Sequence, residues 1–292
     1  VSFVGGIFFK SDGLRLYVID QGSGDYINEY HLDSQSPWDI STASHQRRIT
    51  VHGPCPEPWG CFFKSDGTRF YTTDRFTRAI FQFDLEDAWD ISTTEYVEPT
   101  TEMLDLGGQS PQDLFFKPDG TKLYIINSYT DAVEQYDLDY GWDINTASYT
   151  QSFSVSNEEL SPNGIFFKSD GSRMYIVGSV GILTNNGDRV NEYELDVDWD
   201  ISTASYVQNF DIGAQEVAPQ SLAFSDDGLK MFVLGQSGDD VNEYDLDSQS
   251  PWDISTASYS QSLSISPPFS QPMGLCFSDS GRKMFITGYS AD

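Results

Sequence analysis

The chain has 292 residues, 45 of them acidic and 16 basic, for a formal net charge of −29. Hydrophobic residues make up 38% and aromatic residues 14%, which supplies a packed core and excludes a disordered chain. The charge excludes a nucleic-acid partner and an anionic membrane surface, both of which need basic patches, and no run of about 18 apolar residues exists for membrane insertion.

The sequence opens at Val1 without an initiator Met, which reads as a processed chain or an excerpt. Gly6-Ile7-Phe8-Phe9 is apolar on consecutive positions and predicts a first strand, A, buried on both faces. Ser11-Asp12-Gly13 is a tight turn in which Gly supplies positive φ. Strand B follows at Arg15 to Ile19 and, after a polar loop, strand C at Ile27 to Leu32. Strand D is clearest in the third repeat, where Tyr149, Gln151, Phe153 and Val155 alternate with Thr150, Ser152 and Ser154; one face is predicted to pack and the other to be a Ser/Thr surface.

This pattern recurs along the whole chain. Phe8 to Gly13 returns as Phe62 to Gly67, Phe115 to Gly120 and Phe166 to Gly171, with weaker copies ending at Gly228 and Gly281. The turn glycines are 54, 53, 51, 57 and 53 residues apart. A second block, Trp-Asp-Ile-Ser/Asn-Thr, begins at Trp38, Trp89, Trp142, Trp199 and Trp252. Four antiparallel strands at a period near 50 residues predict an all-β propeller. A and B occur six times but C and D five times, so the expectation is one domain over 1–292, a six-bladed propeller whose sixth blade has strands A and B only. The repeat units run about 6–53, 60–107, 113–156, 164–212, 221–267 and 274–292.

Pro118-Asp119-Gly120-Thr121-Lys122-Leu123-Tyr124-Ile125 and its echoes resemble the YVTN-type propeller repeat and, more loosely, NHL-like repeats. The resemblance implies the propeller fold and says little of activity, because propellers carry many functions. The Trp-Asp-Ile-Ser-Thr block departs from the shorter YVTN unit.

Ten of the sixteen basic residues flank the A–B turns, among them Lys10, Lys64, Lys117 and Lys168 before the glycines. Pairing with the neighbouring Asp is the simplest reading, and recognition of an anionic partner the other. At the opposite end the repeats diverge. Trp59, Arg75, Phe76 and Arg78 in the second unit, and Asn185, Asn186 and Arg189 in the long loop of the fourth, form the candidate ligand-binding set, since Arg beside aromatic rings suits a sugar face or a carboxylate. Cys55 and Cys61 bracket a five-residue loop and form the candidate disulfide, against buried thiols. No Cys/His cluster or Gly-x-Ser-x-Gly elbow appears, and strand A carries no repeated His, Asp or Glu, so no catalytic residue, metal site or cofactor is assigned. Weak calcium binding by acid-rich stretches such as 194–200 is the one cofactor alternative.

The open blade edge, Met284, Phe285, Ile286, Thr287, Gly288 and Tyr289, is the candidate assembly surface. The leading expectation is therefore a non-catalytic structural or adhesive subunit, extracellular or surface-associated, self-assembling with like subunits into a filament or viral fibre. The alternatives are a monomeric glycan- or ligand-binding module and, third, a propeller lactonase or lyase.

Overall fold

The computed structural model describes residues 3–21, 24–51, 53, 55–74, 76–94, 103–107, 111–179, 188–265, 271–278, 281 and 283–289. The fold is an all-β propeller of four-stranded antiparallel blades. The first blade comprises β1 (Phe3–Phe9), β2 (Arg15–Gln21), β3 (Tyr26–His31) and β4 (Ser44–Thr50). The second comprises β5 (Pro58–Phe63), β6 (Arg69–Asp74), β7 (Ala79–Asp84) and β8 (Met103–Asp105). The third is β9 (Pro111–Phe116), β10 (Lys122–Asn127), β11 (Ala132–Leu138) and β12 (Ala147–Ser154). The fourth is β13 (Pro162–Phe167), β14 (Arg173–Gly178), β15 (Arg189–Leu195) and β16 (Ala204–Asp211). The fifth is β17 (Pro219–Phe224), β18 (Lys230–Gly235), β19 (Asp240–Asp245) and β20 (Ser258–Ser264). A two-stranded sheet, β21 (Gln271–Phe277) with β22 (Met284–Tyr289), follows. The expected six blades thus become five complete blades and a two-stranded sheet.

The chain divides into two compact units, Val1–Gly108 with Cys276–Tyr289, and Gln109–Leu275 with Ser290–Asp292. Within the first, β1 lies beside β5 and β22; within the second, β13 lies between β9 and β17. Within each unit the first strands of successive blades are therefore neighbours.

Two expectations about strand burial are corrected. The first strand is not uniformly buried, the four middle residues of β9 being only half-buried, whereas the second strand is the core: Leu123, Tyr124, Ile125 and Ile126 are all essentially inaccessible. Strand B has a ladder partner on both sides. In strand D the alternation breaks, leaving Tyr149 57% exposed. The ladder register slips between the pairs Gln135–Gln151 and Tyr136–Tyr149, so Thr150 is an extra residue and the side chains N-terminal to it change face.

The Trp-Asp-Ile-Ser-Thr block clasps neighbouring blades. Its Asp caps a single 3-10 turn, with Asp200 accepting from Ser202 N (3.0 Å) and Thr203 Oγ1 donating back to the Asp200 carbonyl (2.8 Å). Trp199 adopts φ of +65°, and its ring lies against Gly171, itself at φ +80°, so closely that a Cβ there would sit 2.3 Å from the indole. Only glycine fits. The previous blade grips the same segment. Tyr124 Oη donates to the Trp199 carbonyl (2.5 Å), and Gln151 donates to Asp200 (2.6 Å). Gln135 Oε1 accepts from Ile201 N (3.3 Å). Tyr175 with Trp252, and Tyr17 with Trp89, repeat the tie. Gln135 and Glu192, the strand C Gln and Glu of the third and fourth blades, are thus buried in the blade interface.

The cations near the A–B turns are paired. Lys10, Lys64, Lys117 and Lys168 bond Asp12, Asp66, Asp119 and Asp170 at 2.5–2.7 Å. At Asp119, hydrogen bonds from Lys117 and Thr121 overcome partial burial and draw the carboxyl down to about 2.

No disulfide joins Cys55 and Cys61. Both thiols pack in the apolar cluster with Phe63, Phe70 and Trp89, and burial pushes both upward, which keeps them protonated and unreactive. Cys55 fills the place taken by Glu159 and Glu216 in later blades, each four residues after a buried Val or Ile whose carbonyl accepts its N–H.

Candidate functional site

Each first strand from the second blade onward opens on Pro, a variable residue, a small or acidic residue, then an apolar one or Cys: Pro58-Trp59-Gly60-Cys61, Pro111-Gln112-Asp113-Leu114, Pro162-Asn163-Gly164-Ile165 and Pro219-Gln220-Ser221-Leu222. The proline has no N–H for the ladder, and the register slips just after it. Pro111 pairs with Asn127 but Asp113 with Ile126; Pro162 with Gly178 but Gly164 with Val177; Pro219 with Gly235 but Ser221 with Leu234. Gln112, Asn163 and Gln220 are therefore bulge residues, and bulges re-aim side chains. In the second unit all three are amides.

The amides reach toward the turns between the second and third strands. Gln112 Nε2 donates to Ser128 Oγ (3.0 Å), and Asn163 Nδ2 donates to Ser179 Oγ (3.2 Å) and to the Pro219 carbonyl (3.0 Å). Gln220 Nε2 donates to the Ala218 and Pro219 carbonyls at 3.3 Å. Gln236 stands where the other two blades have these serines and donates to Met273 Sδ (3.1 Å). All three bulge amides are half-buried, so they keep solvent-facing surface.

Asp113 is the one acid on these three strands. The equivalent Gly164 shows what the position faces: a Cβ there would lie 3.2 Å from the Gln220 carbonyl and the Ser221 Cα of the next first strand. At Asp113 the carboxylate uses that approach. Oδ1 accepts from Leu114 N (2.8 Å) and Oδ2 from Ile165 N (3.2 Å), across to β13. Surrounding protein raises its affinity for a proton, the two N–H groups oppose this, and the balance lifts the carboxyl to about 7. A carboxyl poised near neutral pH beside amide donors is the equipment of a general base.

Two other buried carboxyls, Glu159 and Glu216, each stand four residues before a bulge amide, Asn163 or Gln220. Glu216 is inaccessible and satisfied: Oε1 accepts from Ala218 N (2.5 Å), Ser237 N (3.1 Å) and Ser237 Oγ (2.5 Å), and Oε2 from Gly238 N (3.3 Å). Glu159, its counterpart one blade earlier, is equally buried and has no hydrogen-bond partner on either oxygen among the described residues. Burial, with Asp188 and Asp131 nearby, pushes Glu159 up to about 8. Among the described residues no three His, Cys, Asp or Glu side chains are grouped to hold a metal.

The sequence-predicted set is dispersed. Trp59 is the half-buried bulge residue of the second blade, and Phe76 is 71% exposed in the following turn. Arg78 adopts φ of +58° at the place where Asp131, Asp188 and Asp239 stand in later blades. Arg189 begins β15 opposite Asp211. Arg75, Asn185 and Asn186 lie outside the described residues. Sequence reasoning missed Gln112, Asp113, Asn163 and Gln220, together with Tyr129, which is 81% exposed in the turn that also carries Ser128. Of the proposed assembly edge, Phe285 is buried against Phe9 (ring centroids 4.0 Å) and Trp38 (6.0 Å). Thr287 is also buried.

No family model matches this sequence, and no curated protein matches it. Solved structures do. A candidate 6-phosphogluconolactonase of Bacteroides fragilis is 13% identical, with 97% of this chain and 76% of that chain covered and a TM-score of 0.62. The periplasmic gluconolactonase of Pseudomonas aeruginosa is 14% identical, with 97% and 72% covered and a TM-score of 0.61. A candidate 6-phosphogluconolactonase of Bacteroides uniformis is 12% identical, with 96% and 76% covered and a TM-score of 0.64. At such identities the likeness establishes the fold, and the YVTN or NHL repeat family is not thereby shown. Against the expectations of a non-catalytic structural subunit, a filament and no enzymatic activity, these neighbours are named as lactonases, which favours the enzymatic alternative over the structural one. Among the described residues no helix is long and apolar enough to cross a membrane.

Proposed function

We propose that this chain is a propeller hydrolase of lactonase type, with Asp113 as general base and the bulge amides as its binding groups. The observation that carries the reading is the Asp113 carboxyl, lifted to about 7 on a first strand flanked by Gln112 and, one blade on, Asn163. The neighbours' names supply the reaction class. Ionised Asp113 takes a proton from a water as that water's oxygen bonds the lactone carbonyl carbon. An amide N–H stabilises the oxygen that gains charge. The ring C–O bond then breaks, and the proton held by Asp113 passes to the departing ring oxygen, leaving a hydroxy acid. The two-stranded sheet is read as a sixth blade represented by its first two strands, and the repeat as YVTN-like. Secretion or a periplasmic location suits the acidic surface and the periplasmic neighbour.

The test is acid release from glucono-δ-lactone at fixed pH, above the spontaneous rate. Wild type should accelerate ring opening, with kcat/KM rising through about pH 7 as Asp113 ionises. Asp113→Asn, which keeps an oxygen for one of the two N–H donors, should cost at least ~100-fold. An unchanged rate in that variant would remove Asp113 from the mechanism.

A further inference from the structure

We infer that the compound held at the bulge amides is an uncharged polyhydroxylated lactone and that its phosphate ester is excluded. The inference deepens the lactonase reading and rests on it for the word lactone. Its grounds are the charges and hydrogen-bonding groups of the second unit.

A phosphate needs an Arg or Lys fork, or several converging backbone N–H groups. The second unit has six basic residues, and five of them are committed at the far end of the strands. Lys117 and Lys168 are tied to their turn aspartates; Lys122 bonds Asp137 (2.8 Å); Arg173 bonds Glu192; Lys230 bonds Glu243 and Asp245. The sixth, Arg189, lies near the buried Glu159 and Asp188, which already outnumber it.

At the amide end the charges are negative. Asp113 sits on the first strand itself. Asp131 and Asp188 close the turns that lead into β11 and β15, and Asp239 and Asp240 follow in the next blade. Asp188 and Asp240 are both pushed upward, by burial first and then by acidic neighbours, so the region already repels added negative charge. A phosphate dianion brought here would meet the same repulsion, with only the already outnumbered Arg189 of the second unit to offset it.

What the site does offer suits hydroxyl groups. Each amide presents both a carbonyl and an NH2, and two of the three already hold a serine hydroxyl, Ser128 or Ser179, in a geometry that a ligand hydroxyl could share. Tyr129 stands exposed one residue beyond Ser128, its backbone fixed by the bond from its N–H to Asn127 Oδ1 (3.0 Å). An aromatic face beside amide groups is suited to a sugar ring, whose C–H face is apolar and whose rim is hydroxylated.

The experiment is calorimetric titration of the full chain with the δ-lactam analogue of gluconolactone, which resists hydrolysis, and with the 6-phosphate of that lactam. The neutral lactam should bind at least ~10-fold more tightly. In Gln112→Ala/Asn163→Ala its affinity should fall at least ~10-fold. Asp113→Asn should narrow the preference by improving affinity for the phosphate. Equal or tighter binding of the phosphate, or no binding of either lactam, overturns the inference. Lactam binding without any lactone turnover would remove the catalytic reading and leave this one standing. Turnover that prefers the phosphate ester would do the reverse.

Discussion

The two ends of the strands in the second unit follow opposite rules. At the A–B turns every blade does the same thing: glycine at positive φ, an Asp accepting from the N–H two residues on, and a Trp ring against the glycine. At the other end the same backbone bulge presents Gln112, Asn163 and Gln220 in turn, followed by Asp113, Gly164 and Ser221. Every blade must stack, so the stacking residues repeat. A ligand occupies only some blades' approaches, so the residues that meet it are free to differ.

The comparison breaks most sharply if Asp113→Asn loses activity without losing the fold. The expected loss of ~100-fold or more, with an unchanged thermal midpoint, would separate the divergent end from the repeated one. Trp199→Ala should do the opposite, lowering unfolding free energy by ~3–5 kcal/mol in denaturant titration while shifting the lactone rate little per folded molecule. Glu159→Gln and Glu216→Gln test two identical positions with different surroundings. Glu216→Gln should destabilise, because a neutral amide cannot accept from all four donors that now converge on the carboxylate. Glu159→Gln should stabilise near pH 8 and above. Folding raises Glu159 from an ordinary 4.5 to about 8, so the native state holds a proton that the unfolded state has lost. Its contribution to stability therefore falls as pH rises from 4.5 to 8 and is constant beyond. Thermal melts from pH 4 to 9 should show that slope in wild type and a flatter one in the variant. Tyr124→Phe removes one clasp hydrogen bond and should cost ~1 kcal/mol. Lys117→Ala, at an exposed pair, should cost less than ~1 kcal/mol and should matter less still in high salt.

The blades were readable from the sequence because their core is periodic. Phe8-Phe9, Leu123 to Ile126 and the turn glycines mark strands and turns without reference to anything distant. The clasp was readable only in part. The Trp-Asp-Ile-Ser-Thr block was visible as a repeat, but Tyr124 and Gln151 meet Trp199 and Asp200 from another blade, about fifty residues or more away in sequence. The candidate site was hidden for the opposite reason. A search for repeated acids on strand A passes over Asp113, since its counterparts are Gly60, Gly164 and Ser221. The signal present but unread was the proline that opens each of these strands, because a missing ladder N–H predicts a bulge and a bulge predicts a re-aimed residue. The strand D alternation failed on the same physics, since an extra residue at Thr150 reverses the faces.

The clasp also sets an order in time. Tyr17 is completed by Trp89, Tyr124 by Trp199 and Tyr175 by Trp252, so in every case an earlier blade waits for a later one. At each of these three steps a chain emerging from the ribosome would carry a newly formed blade whose buried tyrosine hydroxyl has no acceptor. That blade stays the least stable part of the nascent protein until the next tryptophan is synthesised, some seventy-five residues behind the tyrosine it relieves. Growth of the fold is thus a relay in which the weak point moves forward with the growing end.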